Sequence, residues 1–100
     1  MQVLDFGCGD GSVTSSRFED KNLYDVTGVD RDSFAIEYAT AHNARPNIIY
    51  KNAELNEFES DNSFDIVFAS YVLHHNTQAL ELLQRLWRLT RSPGVLIVRT

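Results

Sequence analysis

The sequence predicts an α/β fold: a parallel sheet with crossover helices on its faces, in three αβα layers. Three observations predict it. Strand and helix signals alternate from end to end, the pattern that crossover connections produce. Phe64 to Ser70 is a short apolar run, typical of a parallel strand buried on both faces. The first strand runs directly into alternating glycines, Gly7-Cys8-Gly9-Asp10-Gly11, ahead of a helix start. There a backbone without Cβ atoms can come within contact distance of a ligand.

Taken in order, the first strand is expected at about Gln2 to Phe6. A helix follows, about Ser12 to Asp20, with Val13 and Phe18 facing inward. The second strand, about Asp25 to Val29, ends at the carboxylate of Asp30. Asp32 or Ser33 caps a second helix running to about Asn43. Its apolar positions Ala35, Tyr38, Ala39 and His42 recur at helical spacing. Pro46 stops it, and the third strand is about Asn47 to Lys51. A polar loop, Asn52 to Ser63, closes with the turn residues Asp61-Asn62-Ser63, and Asp65 behind them is expected to hold that turn. The fourth strand is Phe64 to Ser70. The last helix starts near Asn76 or Thr77 and runs to about Thr90. It carries two apolar rows, Leu80-Leu83-Trp87 and Leu82-Leu86-Leu89, with Trp87 placed in the core stripe. Ser92-Pro93-Gly94 breaks it, and the fifth strand is Val95 to Arg99.

Composition bounds the function. A chain of 100 residues holds at most one domain, 1–100. With 43% hydrophobic and 23% charged residues it is globular rather than disordered. A net charge of −5 disfavours non-specific nucleic-acid binding. Cys8 is the only cysteine, which excludes an intrachain disulfide and a cysteine metal cluster; a reducing, cytoplasmic setting is expected. No apolar run approaches the roughly 20 residues that span a membrane, and the first residues lack signal-peptide features. Val95-Leu96-Ile97-Val98 would lie on an open sheet edge. A continuation of the chain, a second copy or a partner is expected to cover it.

Strand, glycine turn and helix start together form a site for a polar or anionic small molecule. Asp30 lies about 20 residues beyond the glycines, the spacing at which an acidic residue reaches the ribose hydroxyls of a nucleoside. A dinucleotide fingerprint needs Gly-x-Gly-x-x-Gly. Counted from Gly7 it yields Gly9 and then Ser12, so an NAD-type domain is the lesser alternative. His74 and His75 are adjacent and have no Cys or carboxylate cluster at ligand spacing, so no metal site is expected.

These residues carry a resemblance. Asp5-Phe6-Gly7-Cys8-Gly9-Asp10-Gly11 resembles the first motif of class I S-adenosylmethionine-dependent methyltransferases, and Val29-Asp30 their second. Asn52-Ala53-Glu54 sits where that family places its adenine-contacting segment. Asp61 to His75 is similar to the fourth-motif region of the small-molecule and ubiquinone-biosynthesis-like branch, and Ser92 to Leu96 to the glycine turn and fifth strand. The resemblance implies a Rossmann-like sheet of order 3-2-1-4-5, without the family's strands 6 and 7. It implies methyl transfer from S-adenosylmethionine, leaving S-adenosylhomocysteine, to a small-molecule acceptor. A non-catalytic, degenerate module is the other outcome it allows.

By the same resemblance, the backbone of Gly7, Cys8, Gly9 and Gly11 packs against the methionine part of the cofactor, and Asp5 reaches its amino group through water or the turn. Asp30 accepts from the ribose hydroxyls and Arg31 lies beside adenine. Ala53 offers its N–H to the adenine ring, and Asn52, where the family usually has Asp, faces the exocyclic amine. Ser70 and Tyr71, at the end of the fourth strand, would stand where the methyl group is delivered, with Tyr71 either lining that site or packing the loop. Apart from the resemblance, the pattern leaves His74 and His75 as lid or acceptor-pocket residues or as simply exposed.

Overall fold

The computed structural model describes residues 1–54, 57–60, 63–70 and 79–99. The elements run β1 (Gln2–Phe6), α1 (Ser12–Arg17), β2 (Asp25–Asp30), α2 (Ser33–His42), β3 (Ile48–Asn52), β4 (Phe64–Ser70), α3 (Ala79–Leu89) and β5 (Thr90–Arg99). The five strands form one sheet in the order β3-β2-β1-β4-β5, and every pairing is parallel. This is the predicted Rossmann-like topology. The chain moves outward from β1 in one direction and returns to β4 on its other side, so right-handed crossovers put α1 and α2 on one face and α3 on the opposite face.

The central strand is buried on both faces. Val3 packs with Phe18, Val26 and Ile48 on the α1 side. Leu4 and Phe6 pack with Val29, Val67, Ala69 and the α3 residues Leu82, Leu86 and Leu89 on the other. Phe58, the one aromatic residue of the loop after β3, plugs that second core and meets Phe6 edge-on with ring centroids 5.3 Å apart. β4 is only half-shielded on its α1 side, at Ile66 and Phe68, where the Arg17 guanidinium lies 4.8 Å from the Phe68 ring.

Several expectations about orientation are corrected. α1 ends at Arg17 with Phe18 as its C-cap, three residues short of Asp20. Val13 points out, 57% exposed, because a helix this short can turn only one face to the sheet and Thr14, Ser15 and Phe18 occupy it. Asp32 caps α2 as expected, accepting from the N–H groups of Phe34 and Ala35 at 3.0 and 3.2 Å. The buried residues of α2, however, are Ile36 and Ala39; Tyr38 and His42 stack on each other outside, 4.4 Å between centroids. On α3 only the Leu82-Leu86-Leu89 row is buried. Trp87 is 61% and Leu80 69% exposed, so Trp87 is not in the core.

β5 begins earlier than Val95. Thr90 already pairs with Phe64, and Ile66 with Val95, so residues 91–94 bulge out of the ladder. A Cβ on Gly94 would run into the Arg91 carbonyl, which explains a glycine there. Asp65 secures this end of the sheet, accepting from the Gln2 N–H at 2.8 Å and from Arg91 at 3.0 Å. Those bonds hold its carboxyl below the usual range, the Gln2 contact foremost. The expected Asp61-Asn62 turn and the Asn76 or Thr77 cap lie outside the described residues.

Candidate functional site

β1 delivers the chain to the carboxyl edge of the sheet, where strand order reverses between β1 and β4 and α/β sheets bind ligands. Gly7, Gly9 and Gly11 take φ of 77°, 58° and 79°, a region that other residues enter only with strain. The loop is pinned from below. Gly7 and Cys8 donate to the Val29 carbonyl at 2.7 and 3.1 Å, and Gly11 to the Cys8 carbonyl at 3.2 Å. Gly9 donates to the Asp30 carboxylate at 2.9 Å. Among the described residues the Asp10 N–H alone in this loop has no partner.

The glycines differ in what they accommodate. A Cβ on Gly11 would stand 2.6 Å from the Tyr50 hydroxyl oxygen. One on Gly28 would stand 3.0 Å from the Tyr50 ring and 3.1 Å from the Cys8 sulfur. Both therefore make room for Tyr50. A Cβ on Gly9 would meet nothing within 4 Å: this glycine faces open space beside Asp30.

Asp30 is half-buried at the end of β2. One carboxylate oxygen takes the Gly9 N–H, and the other takes the Asp32 N–H at 2.9 Å. Each oxygen keeps a further lone-pair site. Arg31 is exposed beside it. Asn52 donates its amide to the Asp30 carbonyl at 3.0 Å, which leaves its Oδ1 as an acceptor. The Ala53 N–H, which the resemblance aims at adenine, donates to that same carbonyl at 3.1 Å. Ser70 lies one residue beyond the Phe6–Ala69 pair, level with Gly7. The structure thus brings Gly7 to Gly11, Asp30, Arg31, Asn52, Ala53 and Ser70 to one edge. Tyr71, His74 and His75 lie outside the described residues. Sequence reasoning missed Tyr50 and Asn43, which support the loop from elements far along the chain; no local pattern marks them.

Asp5 lies beneath the loop, 4% exposed, and accepts the Thr14 hydroxyl at 2.6 Å. It ties α1 to β1. Burial raises its pKa above the usual carboxylate value, with the Thr14 bond and the Arg17 charge opposing. A carboxyl with a raised folded-state pKa holds its proton more tightly folded than unfolded. Stability therefore falls as pH rises from the ordinary carboxylate range through the raised value, and ionised Asp5 is a cost above it. Asp5→Asn keeps an oxygen for Thr14. It should flatten this part of the stability curve and raise the melting temperature near neutral pH. Thermal melts across acid to neutral buffers check it, and a variant that melts lower at every pH would contradict it.

The Cys8 thiol is pushed up to about 12, by burial first and then by the charges of Asp5 and Asp30. It stays protonated at neutral pH and acts as a small packing group. Among the described residues no three His, Cys, Asp or Glu side chains are grouped to hold a metal.

The pattern of the methyltransferase-domain family matches residues 4–98. The chain belongs to this family. Its membership decides against the dinucleotide alternative, in line with Ser12 standing where a third glycine would be. Among curated relatives, this methyltransferase domain is 27% identical over 104 residues to the ubiquinone biosynthesis O-methyltransferase of Rickettsia bellii, covering 100% of this chain and 42% of the relative. It is 36% identical over 101 residues to the tRNA U34 carboxymethyltransferase of Pseudoalteromonas atlantica, covering 98% of this chain and 31% of the relative. The solved structure of PKMT2 from Rickettsia typhi in complex with AdoHcy matches with a TM-score of 0.87 at 25% identity, over 97% of this chain and 20% of that one. The chain spans less than half the length of each of these proteins.

Proposed function

We propose that this chain binds S-adenosylmethionine and forms the cofactor-binding part of an enzyme that methylates a small-molecule acceptor. The observation that carries this is the open face of Gly9 beside the Asp30 carboxylate, with the Asp10 N–H next to it unpartnered among the described residues, in a chain of the methyltransferase family. The cradle suits the group. The Gly7–Gly11 backbone would take the methionine part, Asp30 the ribose hydroxyls, and Arg31 a place beside the adenine. Asn52 Oδ1 would accept from the exocyclic amine. Ala53, its N–H already bonded to Asp30, would serve as a wall. Asp5, buried and bonded to Thr14, would act on the amino group only through the loop or a water.

When bound, the cofactor supplies a methyl group on a sulfonium, transferred in line to an acceptor lone pair while the sulfur leaves as a neutral thioether. The donor arrives activated, so the task of these residues is to hold it in place and in line with an acceptor. Ser70, level with Gly7, stands at the delivery edge. Tyr71, His74 and His75 follow it in the chain and would line the acceptor pocket. Support for a small-molecule acceptor comes from the similarity to the ubiquinone biosynthesis enzyme. The reading places the protein in the cytoplasm, which suits a single buried free thiol. No helix among the described residues is long and apolar enough to cross a membrane. The same reading has β5 covered in the whole protein, by a continuation of the chain, a second copy or a partner, since Val95, Ile97 and Val98 are exposed on an edge strand.

A second reading, a module that has lost catalysis, draws on Asn52 and Ala53 both donating inward to Asp30. Calorimetric titration of the folded full chain with S-adenosylhomocysteine, with NADH in parallel, separates the readings. Saturable binding of S-adenosylhomocysteine alone is expected. Binding of NADH alone overturns the cofactor, and binding of neither favours the second reading.

A further inference from the structure

We infer that Asn43 positions the glycine loop for its ligand without touching the ligand, an inference that rests on the cofactor site proposed above. Asn43 closes α2, its N–H donating to the Ala39 carbonyl at 2.8 Å. Its side-chain Nδ2 crosses to the Asp10 carbonyl at 2.7 Å. Its own carbonyl accepts the Tyr50 hydroxyl at 2.8 Å, and the Tyr50 ring is packed where Gly11 and Gly28 leave room. One residue thus ties the loop twice: at Asp10 directly, and at Gly11 through Tyr50.

The other end of α2 holds the same loop. Its cap, Asp32, donates its N–H to Asp30, and Asp30 receives the Gly9 N–H. Gly9 and Asp10, the pair that presents the open face and the free N–H, are therefore referenced to opposite ends of one helix. A helix is stiff along its axis, so the two anchors set the spacing between Asp30 and the Asp10 peptide. Releasing the Asn43 anchor leaves Gly9 tethered and removes the tie on the Asp10 carbonyl, so that the Asp10 peptide is held through its carboxylate's bond from the Ser12 N–H at 3.0 Å and the Gly11–Cys8 turn. The sheet and both cores are untouched by that change.

Asn47 is the matched comparison. Its buried side chain makes the same kind of tie, donating to the Phe18 and Tyr24 carbonyls at 2.9 and 3.0 Å, away from the loop. In the full chain, Asn43→Ala should raise the dissociation constant for S-adenosylhomocysteine about 3- to 10-fold, the scale of one lost hydrogen bond. It should also speed amide exchange at Gly9, Asp10 and Gly11. Asn43→Gln keeps a donor and should recover part of both effects. Asn47→Ala should lower the melting temperature more, with affinity and loop exchange unchanged. Unchanged affinity and exchange in Asn43→Ala, beside a wild type that binds, overturns the inference alone. Equal loss of affinity in Asn47→Ala overturns it too, since the effect then follows general destabilisation. A wild type that binds no S-adenosylhomocysteine overturns the cofactor reading and this inference with it.

Discussion

Replacing Asp30 with alanine should weaken S-adenosylhomocysteine binding by about 2–4 kcal/mol, roughly 30- to 1000-fold. Two losses combine. The ligand would lose a charged acceptor for its ribose hydroxyls, and hydrogen bonds to charged groups contribute about 1.5–3 kcal/mol each. The loop would lose its own anchor, because the Gly9 N–H and the Asp32 N–H both end on this carboxylate. Folding should suffer less, by about 1–3 kcal/mol, since both donors lie near the surface and water can replace the lost partner. Asp30→Asn retains one good acceptor for two backbone donors and should fall between. Calorimetry gives the affinities and thermal melts give the stabilities. An Asp30→Ala chain that stays folded and binds as tightly as wild type removes Asp30 from the site.

The parts of this site that were legible in the sequence are those set by local chemistry. Glycines at alternate positions after an apolar strand have few uses other than a tight turn with an open backbone. A carboxylate at the end of the next parallel strand must lie beside that turn, because β1 and β2 pair in register from Gln2–Asp25 to Phe6–Val29. The strand order followed from the family resemblance. What was illegible depended on which of two similar faces meets the sheet. α2 is apolar and alanine-rich on more than one side, so the spacing of Ala35, Tyr38, Ala39 and His42 picks out Ala39 but not its buried neighbour Ile36, and it includes Tyr38 and His42, which stay outside. α3 carries two leucine rows, and only the sheet decides that Leu82, Leu86 and Leu89 go in while Trp87 stays out. Ser92-Pro93-Gly94 reads as the end of a helix, yet it lies in a bulge within β5, whose pairing has already begun at Thr90. Tyr50 and Asn43 were invisible for another reason. Their partners, Gly11 and Asp10, are about 30 to 40 positions away in sequence, and the tie exists only once β3 and α2 have packed.

Alanine at Gly9 and alanine at Gly11 should have opposite signatures, although the two glycines share a motif and a positive φ. Either substitution forces a side chain into the left-handed region, at about 1–2 kcal/mol. At Gly11 there is a second penalty. The new Cβ would lie 2.6, 2.8 and 2.9 Å from three atoms of Tyr50. The ring cannot yield freely, because its hydroxyl is bonded to the Asn43 carbonyl and the same ring edge runs on at Cδ1 to the space beside Gly28. Losing that bond adds about 1 kcal/mol, so Gly11→Ala should cost about 2–3 kcal/mol in all. For a chain of this size that is a fall of roughly 10–25 °C in melting temperature. At Gly9 nothing lies within 4 Å of the new carbon, so only the backbone penalty applies and the fold should survive. The methyl group would instead fill the open face beside Asp30, and S-adenosylhomocysteine affinity should fall by about 100-fold or more, the steric counterpart of an overpacked contact. Gly11→Ala combined with Tyr50→Phe tests the cause. Removing the hydroxyl relieves the closest of the three contacts and leaves the two ring carbons, so a partial recovery of melting temperature is expected, against an additive loss if Tyr50 were uninvolved. Wild-type affinity in a folded Gly9→Ala chain would move the ligand off this face of the loop.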